Sequence, residues 1–216
     1  MKWFRRIALS LGIIVIMAFA LAAHYYYKGF YRPSHTRHRP TSSLVAEEEQ
    51  DRLHRQAALG RAFLDRHDFN IHLCFLVDMR LPSGKNRFFA YDLDRDSILL
   101  AGLVAHGCGS RDLSVSPSFS NINGSSCTAL GRYRIGYRYQ GQFGRAYKLY
   151  GLDSTNDQAF NRNIVLHAYT AVPAAETDPY PICNSRGCPM VAPSFLGQLQ
   201  PFIDHSRRPV LLWIFD

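Results

Sequence analysis

The nonapeptide CNSRGCPMV, Cys183 to Val191, holds two cysteines five residues apart. The second follows a glycine and precedes a proline. Four readings compete for Cys188: a nucleophile, half of a disulfide, a metal ligand or a buried thiol. A glycine just before a nucleophile lets the backbone turn sharply and approach a substrate closely. Pro189 stiffens the exit but carries no N–H. An oxyanion formed there would therefore be held by the N–H of Cys188, Gly187 or Arg186. The spacing alone does not choose among the four readings.

Cysteine count adds weight. The chain has five cysteines. An odd number leaves at least one unpaired, and a free thiol in an oxidising compartment is a liability unless it is used. The compartment is read from the N-terminus. Lys2, Arg5 and Arg6 precede the apolar run Ile7–Ala23, followed by Tyr25, Tyr26 and Tyr27. Residues 1–27 read either as a cleavable export signal or as a membrane anchor with aromatic flanks. Either places the folded domain outside the cytoplasm, periplasmic and anchored at the inner membrane or secreted. Residues 28–45 are basic and contain proline, and read as an exposed tether. Residues 46–216 form the folded domain.

The formal charge of +8 belongs to this N-terminal arm. Residues 1–40 hold seven bases and no acids, leaving 18 bases against 17 acids elsewhere. A nucleic-acid binder carries its positive field on the folded domain, so nucleic acid is set aside. The sequence sets no oligomeric state.

The pattern along the domain is mainly β with a few flanking helices. Leu53, Ala57, Leu59 or Gly60, Phe63 and Leu64 share a helical face, predicting a helix over Ala46–Asp65 with acids in its first turn. The segments IHLCFLVDM, RFFAYDL and SILLAGLVAH then read as three strands separated by turns, pointing to antiparallel pairing. A Ser-, Asn- and Gly-rich loop leads to a long aromatic hairpin turning at GQFG, with Tyr133, Tyr137, Tyr139, Phe143, Tyr147 and Tyr150. STNDQAFNRN reads as a helical turn capped by Thr155 or Asn156. IVLHAY is a short strand, APSFLGQLQPFIDHS a short helix interrupted by Pro201, and PVLLWIFD a closing buried strand.

His106, His167 and Cys188 each end an apolar or small-residue stretch, where side chains meet a ligand while the sheet fixes them. A thiol attacks as thiolate and needs a base, most often histidine. A zinc site from His106, Cys108, His167, Cys183 and Cys188 has suitable ligand types but no close metal-ligand spacing. Cys108 and Cys127 flank the Ser-rich loop, and a disulfide there would close a 20-residue ring worth ~3 kcal/mol. Cys74 lies in an apolar strand. Cys183 is read as a thiol or as a partner of Cys74 or Cys108. A Cys183–Cys188 bond would block the nucleophile and is expected to be absent from active protein.

Taken in order, five segments resemble the murein L,D-transpeptidases with a YkuD-type catalytic domain. They are VAHGCGS (Val104–Ser110), FSNINGSSCTALGRYRIG (Phe119–Gly136), YQGQFGRAYKLYGLD (Tyr139–Asp153), NRNIVLHAY (Asn161–Tyr169) and SRGCPMV (Ser185–Val191). The resemblance implies a β-sandwich or mixed-sheet catalytic fold. It implies Cys188 as nucleophile, His167 as general base and then acid, and an oxyanion hole around Gly187 and Cys188. Ser185 would order the loop or the histidine. His106, Ser120 and Asn121 would lie near the cleft, with Tyr169 in contact with substrate. Many members carry arginine two places after the cysteine. Here Met190 stands there, as in the Gly-Cys-Pro subgroup, and Arg186 is the charge on the other side. The implied substrate is a peptidoglycan stem peptide, and the implied chemistry needs no metal or organic cofactor. Its acyl group would pass to a second stem as a 3–3 crosslink, or to water. A non-catalytic wall-binding domain with the same fold is the alternative.

Overall fold

The computed structural model describes residues 16–22, 42–109 and 116–216. The chain divides into two compact units, Met1–Ala46 and Glu47–Asp216. In the first unit, residues 16–22 are helical and exposed; most of the expected anchor or signal run and tether lies outside the described residues. Among the described residues no helix is long and apolar enough to cross a membrane.

Helix α1 (Ser42–Leu64) starts earlier than the acids predicted. Its first turn therefore holds no acid, and Glu47–Glu49 fall further in, where the helix dipole is weak. Arg61 in its last turn does complement the dipole. Leu53, Ala57 and Leu64 are buried, while Leu59 is 57% exposed. Gly60 is the buried member of that pair, and a Cβ there would lie 3.9 Å from Cys74 Sγ.

The strands are β1 (Leu73–Asp78), β2 (Phe88–Asp92), β3 (Ser97–Gly102), β4 (Val104–Ala105), β5 (Gly131–Gly141), β6 (Gly144–Gly151), β7 (Val165–Ala168), β8 (Met190–Val191) and β9 (Leu211–Phe215). Helix α2 (Pro193–Asp204) lies between the last two. All nine strands join one sheet in the order β3-β2-β1-β9-β5-β6-β7-β8-β4. The sheet is mixed: β1·β9 and β7·β8 are parallel, and the other joins are antiparallel. The antiparallel pairing expected of the first three strands holds at β1·β2 and β2·β3, and the parallel joins involve strands from later in the chain.

SILLAGLVAH is two strands, not one. Its halves, β3 and β4, form opposite edges of the sheet with only Leu103 between them. The chain itself thus bridges the two edges, and the sheet curls into a nearly closed barrel. Gly102 sits at the crossover, where a Cβ would fall 2.6 Å from the Phe195 ring.

Alternation explains the double core. Phe75 and Val77 of β1 join the main cluster with α2 residues Phe195, Leu196 and Leu199. Cys74 and Leu76 face the other way, onto Leu53, Ala57 and Leu64 of α1. A strand covered on both faces reads as continuous apolar sequence. Each such large side chain contributes roughly 1.5–3 kcal/mol by burial. Helix α2 runs through Pro201 to Asp204 rather than breaking. The missing N–H lies in the last turn, so only one i→i−4 bond, to Gly197 O, is lost. STNDQAFNRN forms consecutive turns. Asn156 is fully buried there, accepting from Asp153 N–H (2.9 Å) and donating to Arg132 O (2.8 Å).

Candidate active site

Strand β7 carries His167 and pairs with β8 as His167↔Met190 and Ala168↔Val191. Cys188 therefore lies just before β8, beside the histidine strand. Gly187 makes the turn, with φ at +111°. A side chain there would be doubly excluded, since a Cβ would meet Cys127 O at 2.7 Å. Ser185 Oγ accepts from Gly187 N–H (3.0 Å) and so ties the loop to itself. Gly187 O accepts a long bond from Thr128 Oγ1 (3.4 Å), and Thr128 Oγ1 accepts from Gly107 N–H (2.9 Å).

Two cavities meet at the pair. The larger, about 370 Å³, is lined by Cys108, Phe143, His167, Tyr169, Asn184, Ser185, Arg186, Cys188 and Met190. The smaller, about 200 Å³, takes Tyr139, Asn163 and Val165 together with Phe143, His167 and Cys188. His167 Nδ1–H donates to Ala168 O (2.9 Å), which leaves the lone pair on Nε2. Burial pushes the imidazole below the ordinary histidine range, against that carbonyl bond, so the ring is a neutral base. Burial also pushes the Cys188 thiol upward. The Val165 N–H and the charges of Arg162 and Lys148 oppose this without overcoming it. The resting thiol keeps its proton and donates weakly to Asn163 O (3.7 Å).

Of the residues singled out from sequence, Cys188, His167, Tyr169, Ser185 and Arg186 line the larger cavity. His106 does not. It is fully buried behind the wall, where its Nδ1 accepts from Arg87 Nη2 (2.9 Å) and its Nε2 lies 3.1 Å from the Asn184 amide. Arg87 is itself buried, and its charge is depressed to a pKa of about 10 by burial, opposed by Asp78. Ser120 and Asn121 line neither cavity. Asn121 Nδ2 instead donates to Ser154 O (3.1 Å) and Asp157 Oδ1 (2.7 Å), and Ser120 O accepts from Arg162 Nη1 (2.7 Å).

Arg162 escaped the sequence reading. Its guanidinium also donates to Cys127 O (2.6 Å), fixing the wall behind Gly187. Its signal was its place in NRNIVLHAY, five residues before the histidine. Of the hairpin aromatics, Tyr133 and Tyr147 are core, whereas Phe143 and Tyr139 reach the cavities.

All five cysteines are free thiols. The expected Cys108–Cys127 staple is not formed: Cys108 Sγ donates to Gly109 O (3.5 Å) and Cys127 Sγ to Ser125 O (3.4 Å). Buried Cys74 has its thiol pushed up to about 12 by desolvation and is inert. Among the described residues no three His, Cys, Asp or Glu side chains converge as metal ligands.

A comparison with curated proteins returned no match. Among solved structures the chain is similar to the helical cell shape determining protein Pgp2 from Campylobacter jejuni, at 14% identity and TM-score 0.42 over 76% of this chain and 56% of that one. It is similar to an L,D-transpeptidase from Xylanimonas cellulosilytica, at 11% identity and TM-score 0.40 over 69% and 62%. An L,D-transpeptidase from Mycobacterium smegmatis gives 10% identity and TM-score 0.40 over 67% and 59%. The chain thus spans less than two thirds of each. A family model described as the L,D-transpeptidase catalytic domain matches residues 47–213, most of the chain. The protein belongs to the L,D-transpeptidase catalytic-domain family.

Proposed function

We propose that the protein is a cysteine acyltransferase acting on peptidoglycan stem peptides. The observation that carries this reading is the placement of Cys188 and His167 on the wall shared by two cavities. A reactive centre reached from two sides suits a transfer in which the donor is held while the acceptor arrives.

His167 Nε2 takes the Cys188 proton as the thiol attacks the carbonyl on the L-centre of the position-three diamino acid. The thiolate formed is met by the Val165 N–H. Gly187 N–H is already committed to Ser185 Oγ, which leaves the N–H groups of Cys188 and Arg186 to hold the oxyanion. The C–N bond to the terminal D-alanine breaks, and the imidazolium returns its proton to the leaving amine. The thioester then passes its acyl group to the amine of a second stem, giving a 3–3 crosslink, or to water, giving a shortened stem. Arg186, exposed on the rim of the larger cavity, supplies a positive charge for a substrate carboxylate. Residues 1–27, whether a membrane anchor or a cleaved export signal, would deliver the domain outside the cytoplasm, where the wall lies.

The purified full chain, incubated with tetrapeptide muropeptides, should give an acyl adduct on Cys188 by mass spectrometry, with released D-alanine. Cys188→Ala should lose adduct and products together. Products that survive the substitution, or muropeptide binding with no turnover by wild type, would refute the reading.

A further inference from the structure

His167 and Cys188 line both cavities, and so does one residue with no reactive group, Phe143. It occupies the two-residue turn of the β5–β6 hairpin, between the paired Gly141 and Gly144. Gly144, just after the turn, has φ at +88°, a conformation that glycine adopts without strain. The hairpin is held to the histidine strand by the register Ala146↔His167, and Phe143 reaches beyond it. Its ring stacks on the His167 imidazole, with centroids 5.3 Å apart and planes 19° apart. It also meets Tyr169 edge-on at 5.7 Å. Yet Phe143 is 53% exposed and belongs to neither core cluster. Core packing does not account for a large apolar ring held there.

We propose that Phe143 is a positioning residue that decides whether the acyl group goes to an amine or to water. The inference rests on the acyl-enzyme reading above. In both outcomes a nucleophile attacks the same thioester carbonyl. With an amine, a C–N bond forms, the C–S bond breaks, and the nitrogen proton passes through His167 Nε2 to the leaving thiolate. With water, a C–O bond forms, the same C–S bond breaks, and the proton follows the same route. Water is always the more abundant nucleophile, so transfer depends on keeping it from the imidazole while the amine is bound. The Phe143 ring stacks on one face of that imidazole and, with His167 and Cys188, forms the wall common to the two cavities. Without the ring, the two would open into one wet trough, and the histidine would lose part of the burial that lowers its pKa.

The test follows the fate of the acyl group in wild type, Phe143→Ala, Phe143→Leu and Phe143→Tyr, using full chain, tetrapeptide donor and a stem-peptide amine acceptor. Phe143→Ala should shift the ratio of crosslinked to hydrolysed product on the order of tenfold toward hydrolysis. The acid limb of its pH–rate profile should move up toward ordinary histidine. Phe143→Tyr, which keeps the ring, should restore both, and Phe143→Leu, which keeps bulk without the stacked face, should restore the ratio only in part. A Phe143→Ala protein that acylates Cys188 with the wild-type product ratio and acid limb overturns the inference alone. Should Phe143→Ala fail to fold, a wild-type ratio in Phe143→Leu overturns it equally. A wild type that forms no Cys188 adduct overturns the underlying reading as well.

Discussion

The sheet contains two parallel joins, and they serve opposite ends. At β1·β9 five residue pairs are in register, from Cys74↔Leu211 to Asp78↔Phe215. Every residue of β1 is buried, with one face in the main core and the other under α1. At β7·β8 only two pairs are in register, and the neighbouring chain turns away at Gly187 into open cavities. Long parallel ladders need cover on both sides. A short one near a sheet edge leaves its flanking residues free for chemistry while still fixing their position. One join supplies stability, and the other sets Cys188 beside the His167 strand on a common cavity.

The comparison breaks first at the stable join. Phe75 lies in the main core, tilted against Phe88 with centroids 5.5 Å apart. Phe75→Ala should cost about 3–5 kcal/mol in denaturant unfolding, because the rigid double-covered strand cannot collapse onto the cavity. Turnover per folded molecule should stay within about twofold of wild type. Loss of turnover without loss of stability would mean that the two joins are not separable.

Gly187→Ala probes the other join. The substitution puts a Cβ against Cys127 O at 2.7 Å and forces alanine to a positive φ. The strain should cost roughly 1–3 kcal/mol of stability. Displacement of Cys188 should slow acylation by on the order of 100-fold. The diagnostic is the ratio: the loss in acylation should exceed what the fall in melting temperature explains. An acylation rate that follows the folded fraction alone would make Gly187 a packing residue only.

These two joins also mark how far the sequence could be read. The segment IHLCFLVDM announced a strand and PVLLWIFD a buried one, and His167 and Cys188 stood at ends of legible segments. Burial on two faces and a glycine before a cysteine both leave local traces. The split of SILLAGLVAH between opposite edges leaves none, because barrel closure is a property of the whole sheet. Leu59 and Gly60 fitted one helical face equally well, and the packing of the helix turns Gly60 inward while leaving Leu59 exposed. Ser120 and Asn121 lie in a loop tied to Ser154, Asp157 and Arg162, so their polarity serves the loop and not the cavity. Phe143 could be placed at a turn but not on the imidazole, since stacking depends on how far one strand of a hairpin overshoots another.

The smallest effect sharpens the comparison most. Two electrostatic states are conceivable for a cysteine–histidine pair: a preformed thiolate and imidazolium, or a neutral thiol and neutral base. The first requires a depressed thiol pKa and a raised histidine pKa. Burial drives both groups the other way, raising Cys188 and lowering His167. A base with a lowered pKa stays unprotonated further into acid, so kcat/KM should hold down to a limb below the ordinary histidine value of about 6.5. Alkylation of Cys188 by iodoacetamide reports the free thiolate. Its rate should be slow at neutral pH and rise only above the ordinary cysteine range. Arg162→Gln removes one of the charges that favour the thiolate, so it should move that rise further toward alkali. A fast alkylation plateau extending through neutral pH would instead mean a standing ion pair. The short join would then be tuned by charge rather than by burial.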